Sequence, residues 1–352
     1  MKKSLFLVLL TIMTIFCGCQ QKNDVVKIGV IAPLTGAASS TKQYVMDGFT
    51  MAKEELNARK DGIKYEIVFE DCESDPTKAV ACFNRLKTKG VNYIVAFGGQ
   101  FALAVAPSTN NQDMLYFTLA DYNEAVLDLT DCGFRVFPSA TTVADLSASF
   151  LRDSLKISNV ATITMNTVPC LMAADRFTKN MLDKGVNVNF QDTYDMGTSD
   201  FKNIISKMTK KEIDAVFFNG FGISPAAFCS QLASLPQFDN LIVLGDVNFA
   251  TKTFSDNNKN NKSRIYYADS EMGGDAGMLY QQKHNIRPNG LVGCSYMLPY
   301  IVDEAIRMAG DKNNLSAQKQ ALRNHTISTP TGEISFDAKG NGNMGMKIYA
   351  LH

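Results

Sequence analysis

The sequence predicts an α/β fold built from two doubly wound halves, and two observations support this prediction. First, the β-branched run 25–31 (VVKIGVI) is followed by a loop with Pro33 and Gly36 and by a helical pattern that begins near Thr41. A strand, a tight loop and a helix form the first unit of a parallel sheet, whose loops lie at the carboxyl edge where ligands bind. Second, the same alternation of strand and helix begins again near Val160. We therefore expect two halves of similar architecture.

The first half continues the alternation after the helix at about 41–58. Asp75 is the predicted N-cap of the next helix and Pro76 its first residue, since proline is tolerated there and aspartate accepts from the free amides. The other predicted elements are strands at 64–71, 91–97 and 114–118, helices at 74–86 and 101–111, and a short strand-like segment at 134–138.

The second half repeats this pattern and is followed by a tail that the pattern does not assign to either half. Its predicted elements are helices at 142–156, 171–184, 201–211 and 224–235, and strands at 160–164, 186–191, 214–219, 241–244 and 264–268. The tail contains predicted helices at 276–286, 295–309 and 315–323, a hairpin at 329–345 and a last strand at 346–351.

The first nineteen residues have the pattern of an export signal. Lys2 and Lys3 precede an apolar core, Leu5–Phe16, that is too short for a permanent membrane span. Small Gly18 stands directly before Cys19, which resembles the lipobox of bacterial lipoproteins, where the cysteine is lipidated and becomes the new N-terminus. We expect lipidation of Cys19 and a polar tether over 20–24; the alternative is an ordinary secretory signal without a lipid.

Composition restricts the classes of partner. After the signal about 330 residues remain, enough for two domains. Lys+Arg and Asp+Glu both number 35, so the charge balance gives no reason to expect nucleic acid as a partner. Beyond Cys17 in the signal and Cys19 at the lipid site, six cysteines remain, and none of them forms a C-x-x-C pair, which argues against a metal site. We expect at most one disulfide; Cys72 and Cys82 are near enough in the predicted fold to approach each other.

No pattern of enzyme chemistry is visible. The three histidines are scattered, and neither G-x-S-x-G nor a P-loop is present. A formal G-x-G-x-x-G occurs at Gly340, Gly342 and Gly345, but a predicted strand follows it, so no helix N-terminus is available for a phosphate. We interpret it as a turn and expect no enzyme activity, no cofactor and no metal.

Several segments in order carry a resemblance to a known family. They are IGVIAPLTG (28–36) with Gly48 twelve residues later, EDCESDPTKAV (70–80), IVAFGG (94–99), the block from FKNIISKM to IDAVFF (201–218), SYMLPYIVDEAIRMAG (295–310) and TPTGEISFDAKG (329–340). Together they resemble the type I periplasmic solute-binding proteins of the branched-chain amino acid class, over essentially all of residues 25–350.

The resemblance implies two Rossmann-like lobes joined by three crossings, which close around a ligand by a hinge motion, in the manner of a Venus flytrap. It assigns 25–138 and 270–328 to lobe one, and 139–269 and 329–352 to lobe two. It further implies an extracytoplasmic, membrane-anchored lipoprotein that delivers a small ligand to an ABC permease. The alternative is a lipoprotein of the same fold that senses a ligand or acts as a scaffold without transport.

The same resemblance and the loops at the carboxyl ends of the strands give the candidate ligand site. In the amino-acid-binding relatives, a serine and a threonine at the positions of Gln100 and Tyr122 hold the α-carboxylate and α-amino groups, and an acidic residue near Asp246 neutralises the amine. Here larger residues replace both hydroxyl residues, and Pro169 replaces an aromatic one. We therefore expect a compact ligand, amino acid-like or with an aromatic or cationic part. The expected ligand-binding residues are Thr41, Gln100, Phe101, Ala120, Asp121, Tyr122, Thr142, Pro169, Phe221 and Asp246.

Overall fold

The computed structural model describes residues 24–60, 62–259, 261–270 and 272–351. Within these residues the strands form two large sheets and a short hairpin, and helices cover both faces of each large sheet. We call the parts that pack around the first and second large sheets the first and the second lobe. The predicted export signal, including Cys19, lies outside the described residues.

The first lobe begins with an alternation of strands and helices that gives a wholly parallel sheet, in the spatial order second, first, third, fourth, fifth strand. Apolar residues of the first helix cover one face of this sheet, and those of the second and third helices cover the other. The elements are β1 (Asp24–Ala32), α1 (Lys42–Ala58), β2 (Ile63–Asp71), α2 (Pro76–Thr88), β3 (Tyr93–Phe97), α3 (Gly99–Val105), β4 (Leu115–Leu119) and β5 (Gly133–Arg135).

The second lobe repeats the arrangement with its own parallel strands. Its first two helices pack on one face of the sheet, and the following three pack on the other. The elements are α4 (Ala140–Ser149), β6 (Asn159–Met165), α5 (Val168–Leu182), β7 (Asn187–Tyr194), α6 (Lys202–Met208), β8 (Ala215–Asn219), α7 (Ser224–Leu232), β9 (Ile242–Gly245), α8 (Lys252–Asn257) and β10 (Arg264–Asp269).

The tail returns to the first lobe before it joins the second. Its elements are α9 (Gly274–His284), α10 (Gly290–Ala309), α11 (Leu315–Asn324), β11 (Ile327–Thr329), β12 (Gly332–Ile334) and β13 (Lys347–Ala350). Strand β13 pairs antiparallel with β10 at the edge of the second sheet. The chain therefore crosses between lobes after β5, after β10 and before β13.

The last crossing differs from the expected boundary at 329. The hairpin β11–β12 belongs with the first lobe, because the buried side chains of Ile327, Ile334 and Phe336 pack into the core of that lobe. Asn341 also forms a β-bridge with Arg135, the last residue of β5. The chain pairs with the second sheet only from Lys347 onward. The apolar side chains of the hairpin thus keep the chain in the first lobe for about a dozen residues beyond the expected boundary.

Helices α1 and α10 make the closest helix contact of the first lobe, and Gly48 permits it. A Cβ at Gly48 would lie 2.6 Å from the Cβ of Ser295 and 2.7 Å from the carbonyl oxygen of Val292, closer than packed atoms tolerate. On the same α10, the buried carboxylate of Asp303 accepts from the Arg59 guanidinium at 2.7 Å. These contacts fix α10, whose first residues border the cleft.

Most predicted elements exist, with shifted ends. Asp75 caps α2 as expected, since its Oδ1 accepts from the amides of Thr77 and Lys78. The predicted helix 101–111 is shorter: α3 ends at Val105 and a 3-10 turn with Pro107 follows, because proline has no amide to continue an α-helix. The predicted helix 142–156 becomes α4 and one wide π-type turn at 150–154.

The six cysteines of the described residues are buried free thiols. The sulfur of Cys82 donates to the carbonyl oxygen of Asp71 and accepts from the guanidinium of Arg85. None of the described helices has the length and apolar character needed to cross a membrane.

Candidate ligand-binding site

A cavity of about 220 Å³ lies between the lobes, at the carboxyl ends of the strands of both sheets. The first lobe contributes the loops after β1, β3 and β4 and the start of α10, and the second lobe contributes the loops after β6, β8 and β9. The cavity is lined by Pro33, Ala38, Ser40, Thr41, Phe97, Gly98, Gly99, Gln100, Phe101, Leu103, Ala120, Tyr122, Asn123, Phe137, Thr167, Val168, Pro169, Cys170, Phe221, Gly222, Asp246, Val247, Asn248 and Leu291.

Eight of the ten expected residues line this cavity, and two do not. Asp121 is buried behind the wall. Thr142 lies at a separate groove near the first crossing, where its hydroxyl shares a hydrogen bond with that of Ser139 at 2.9 Å. The eight that the structure brings together are Thr41, Gln100, Phe101, Ala120, Tyr122, Pro169, Phe221 and Asp246.

The turn after β3 forms part of the first-lobe wall. Gly98 has φ = 104°, a backbone conformation that favours glycine and that turns the strand directly into α3. Gln100 then lines the cavity, whereas Phe101 is almost wholly buried and belongs mainly to the core between β3 and α2. The turn therefore presents the backbone of Gly98 and Gly99 and the side-chain amide of Gln100 to a ligand, and the ring of Phe101 lies behind them.

Tyr122 is the largest polar side chain of the first-lobe wall. Ala120, at the end of β4, has φ = 50°, which is uncommon for a residue with a Cβ and redirects the chain at this point. The ring of Tyr122 packs edge-on against Phe137 at 4.9 Å between centroids. Its hydroxyl is buried and makes no hydrogen bond of normal geometry with any described residue.

Asp246 faces this hydroxyl from the second lobe. Its side chain follows β9, is 4% exposed, and its Oδ1 accepts from the amide and the side chain of Asn248 at 3.0 and 2.8 Å. Burial raises the pKa of Asp246 to about 6, while the two hydrogen bonds from Asn248 and the proximity of the Tyr122 hydroxyl oppose the rise. Asp246 is therefore largely ionised at neutral pH and places a negative charge beside Tyr122.

A second carboxyl group, Asp269, stands close to this pair although it does not line the cavity. It ends β10, and its Oδ1 accepts from the amides of Ser270 and Gly290, both at 2.8 Å. Gly290 is the first residue of α10, so the helix N-terminus stabilises the carboxylate. Burial nevertheless raises the pKa of Asp269 to about 8, and the charge of Asp246 adds to the rise while that of Arg287 opposes it.

Asp121 supports the wall from the core side. Its Oδ1 accepts from the amide of Asn123 at 2.9 Å and closes the turn after β4. Burial raises its pKa to about 6, and the charge of buried Arg135 opposes the rise. A Cβ at Gly99 would lie 2.6 Å from this Oδ1, so the carboxyl group sits directly beneath the start of α3.

Several lining residues were not predicted. Phe137 was expected only as part of a crossing, and Leu291 lies in the tail that the sequence pattern left unassigned. Asn248 lies two residues after Asp246 and donates to its carboxylate. Aspartate and asparagine often form such side-chain turns in loops, so this local contact could have been predicted. Cys170 follows Pro169 at the start of α5, and burial raises the pKa of its thiol to about 12.

The cavity is mainly apolar and carries charge of one sign. Among the described residues that line it, Asp246 alone has a side chain that is charged at neutral pH. The described residues contain no cluster of histidine, cysteine and acidic side chains able to hold a metal ion. The arrangement can enclose a compact organic molecule and offer it ring surfaces, amide groups and one carboxylate.

Comparison with known proteins identifies the family. The family model for periplasmic binding proteins matches residues 25–245, so the chain belongs to the periplasmic binding protein family, in its type I branch related to branched-chain amino acid ABC transport. Both the predicted two-lobed α/β fold and the resemblance seen in the sequence are confirmed.

Relatives and solved structures match over nearly the whole chain. A leucine-, isoleucine-, valine-, threonine- and alanine-binding protein of Pseudomonas aeruginosa is 23% identical, with 96% of this chain and 92% of the relative covered. A leucine-binding protein of Thermotoga maritima has a TM-score of 0.82 at 20% identity, covering 92% and 94% of the two chains. A solute-binding protein of an ABC transporter from Rhodopseudomonas palustris, in complex with 3,4-dihydroxybenzoic acid, has a TM-score of 0.80 at 19% identity, covering 93% of each chain.

Proposed function

We propose that this protein is a lipid-anchored, extracytoplasmic solute-binding protein that captures a compact organic ligand between its two lobes and delivers it to an ABC importer. The observation that carries the proposal is the enclosed, mainly apolar cavity formed by strand-end loops of both lobes. A ligand held by both walls stabilises the closed arrangement of the lobes, because it makes contacts that the open form lacks.

Relatives of known ligand class support this function. The Pseudomonas aeruginosa relative is named for leucine, isoleucine, valine, threonine and alanine, and the Rhodopseudomonas palustris structure holds an aromatic acid. Here the ring surfaces of Tyr122, Phe137 and Phe221 suit a compact ligand, either amino acid-like or with a flat or cationic part. Lipidation of Cys19, with 20–24 as a polar tether, would hold the protein at a membrane surface near its permease.

Catalysis is not part of the proposal. The thiol of Cys170 is the one side chain of the described cavity lining with the chemistry of a strong nucleophile, and its raised pKa keeps it protonated at neutral pH. No histidine is present in that lining to activate it.

The experiment is native mass spectrometry of the protein purified from its own host without denaturation. We expect a one-to-one adduct of a small organic molecule that is lost on unfolding, and uptake of the identified molecule by cells that requires both this protein and a permease. A bare protein mass, with no binding of metabolites in a thermal-shift screen, would contradict ligand capture. Binding without any dependence of uptake on the protein would favour the sensor or scaffold alternative.

A further inference from the structure

We infer that the ligand of this cleft is a compact amine, cationic at neutral pH, with an apolar or aromatic body and no carboxylate. The inference rests on the proposed function and adds the chemical class of the solute. It differs from the amino acids and the aromatic acid bound by the relatives.

The first argument is the sign of the charge around the cavity, which is negative. Asp246 supplies a negative charge to the lining, and no lysine or arginine is among the described residues of that lining. The nearby Arg287 lies against the ring of Tyr349, with its guanidinium carbon 3.2 Å from the ring centroid. Buried Arg135 donates to the carbonyl oxygens of Phe137 and Asp121 at 2.6 and 3.2 Å. Both guanidinium groups are thus held by the protein, and a ligand carboxylate would meet only the like charge of Asp246.

The starts of α3 and α5 both line the cavity, and beneath the start of α3 the protein places its own carboxyl group. Asp121 lies directly beneath Gly99, on the core side of the turn, within 2.6 Å of a Cβ built at that residue. Its negative charge opposes that of an anion bound on the cavity side. Helix α3 has only seven residues, and Ala120 and Tyr122 nearby offer a methyl group and a phenol. This corner is consequently a poor site for a carboxylate.

The polar groups opposite this corner suit an ammonium group. The buried hydroxyl of Tyr122 makes no hydrogen bond of normal geometry with the described residues. It lies beside the carboxyl group of Asp246 and near the backbone amide of Val247. An ammonium group between the hydroxyl and the carboxyl group would donate to both oxygens and satisfy the hydroxyl, which is costly to leave unpaired. The aromatic rings of Tyr122, Phe137 and Phe221 in the lining add surface that attracts a cation as well as an apolar body.

The size of the cavity sets the scale of the ligand. About 220 Å³ is enough for one ring with a short side chain. For comparison, a cavity of about 150 Å³ in an apolar core accommodates benzene. We therefore choose 2-phenylethylamine as the cationic probe, L-phenylalanine as its zwitterionic analogue and 3-phenylpropionate as its anionic analogue. The three probes share the ring and differ in the charged groups.

The test is calorimetric titration of the refolded, ligand-free protein with these three probes at pH 7.5. We expect 2-phenylethylamine to bind at least tenfold more tightly than the other two. Asp246→Asn, which keeps the shape of the side chain, should weaken amine binding at least tenfold and remove most of the preference. Asp183→Asn makes the same charge change at an exposed residue at the far end of α5. This control should leave the amine affinity and the preference for the amine unchanged.

Two outcomes overturn the inference. One is equal or tighter binding of phenylalanine or phenylpropionate by the wild type, and the other is a preference for the amine that Asp246→Asn does not alter. Absence of amine binding at millimolar concentration also contradicts it. If the molecule that co-purifies with the protein is a carboxylate bound in the cleft, the proposed function stands and this inference alone fails. If no small molecule binds at all, both fail.

Discussion

The hydroxyl group of Tyr122, on the first lobe, lies beside the carboxyl group of Asp246, on the second lobe. The hydroxyl has no hydrogen-bond partner of normal geometry in the described part of the chain, and Asp246 is held in place by Asn248. The two groups face each other across the cleft from separate rigid sheets. A ligand that bonds to both therefore links the lobes directly.

Substitution of either residue is expected to weaken ligand binding and to spare the fold. Asp246→Ala and Tyr122→Ala should each raise the dissociation constant of the co-purifying ligand, because each removes a polar partner in a closed cleft. Loss of a charged partner costs roughly 2–3 kcal/mol, or on the order of a hundredfold in affinity. Calorimetry measures the affinity, and the melting temperature of empty Asp246→Ala should stay close to that of the wild type. Tyr122→Ala also removes the ring contact with Phe137, so its melting temperature should fall while it remains folded.

The control for these variants is Asp183→Asn, which lies far from the cleft. Normal affinity in both cavity variants would show that the site is elsewhere. Tight leucine binding by the wild type would show that the chemistry of the site has been misjudged.

Stability of the empty protein is expected to fall as pH rises from about 4 to about 8. Burial raises the pKa of Asp121 and of Asp246 to about 6 and that of Asp269 to about 8, all from an ordinary value of 3.8. The folded state therefore binds protons that the unfolded chain has already released, and this stabilisation is lost as pH rises through the folded-state values. Thermal melts between pH 5 and pH 8 measure the slope.

Asp269→Asn isolates one part of this slope. The amide oxygen can still accept from Ser270 and Gly290, so the variant should fold and should lose the part of the slope between about pH 6 and pH 8. An unchanged slope, with Asp183→Asn as the reference, would show that Asp269 does not hold its proton in the folded protein.

Amine binding is expected to strengthen as pH rises from 5 to 8. The cation favours ionised Asp246, so binding releases the proton held by this carboxyl group below its raised pKa. With a pKa of about 6 in the free protein, only about a tenth of Asp246 is ionised at pH 5, which lowers the affinity roughly tenfold relative to pH 8. Raised pKa values keep Tyr122, Tyr194 and Cys170 neutral over this range, so they do not change the slope. The neighbouring Asp269, with a pKa of about 8 beside Arg287, modifies the dependence near its upper end.

Calorimetry of 2-phenylethylamine in buffers of different ionisation enthalpy counts the protons released. Affinity that is flat over this range, or that increases at low pH, would contradict a role for an ionised Asp246 in holding the amine.

The sequence predicts those site residues that local structure places at the cavity, and it misses those that long-range packing places there. Tyr122 and Asp246 lie in the loops that follow predicted strands, so the rule that strand-end loops face the cleft was enough to select them. Asp121 also follows a strand, but the left-handed backbone of Ala120 turns its side chain into the core, and no local pattern indicates that. Asp269 lies near the cavity because of the second crossing, and Leu291 lines it because α10 returns to the first lobe. Both are long-range features. The hairpin at 327–336 joined the first lobe because of contacts with a distant core rather than a local signal.

Anchoring is tested separately from ligand binding, because the predicted lipid site lies outside the described residues. Cys19→Ala should abolish acylation and release the protein into the soluble fraction, since the polar tether 20–24 offers no other hold on a bilayer. Cys17→Ala is the matched control and should remain acylated and bound to the membrane. Cell fractionation measures membrane retention, and mass spectrometry of the N-terminus measures acylation. Full acylation and membrane retention of the Cys19 variant would contradict the prediction.

Small-angle X-ray scattering of the ligand-free protein and of the same sample saturated with its co-purified ligand tests most directly whether the solute is captured between the lobes. Because the ligand contacts walls on both lobes, we expect a smaller radius of gyration on binding, with the Asp246→Ala variant unchanged at the same ligand concentration. Calorimetrically verified binding by a form shown to be open beforehand, with no change in the radius of gyration, would contradict it.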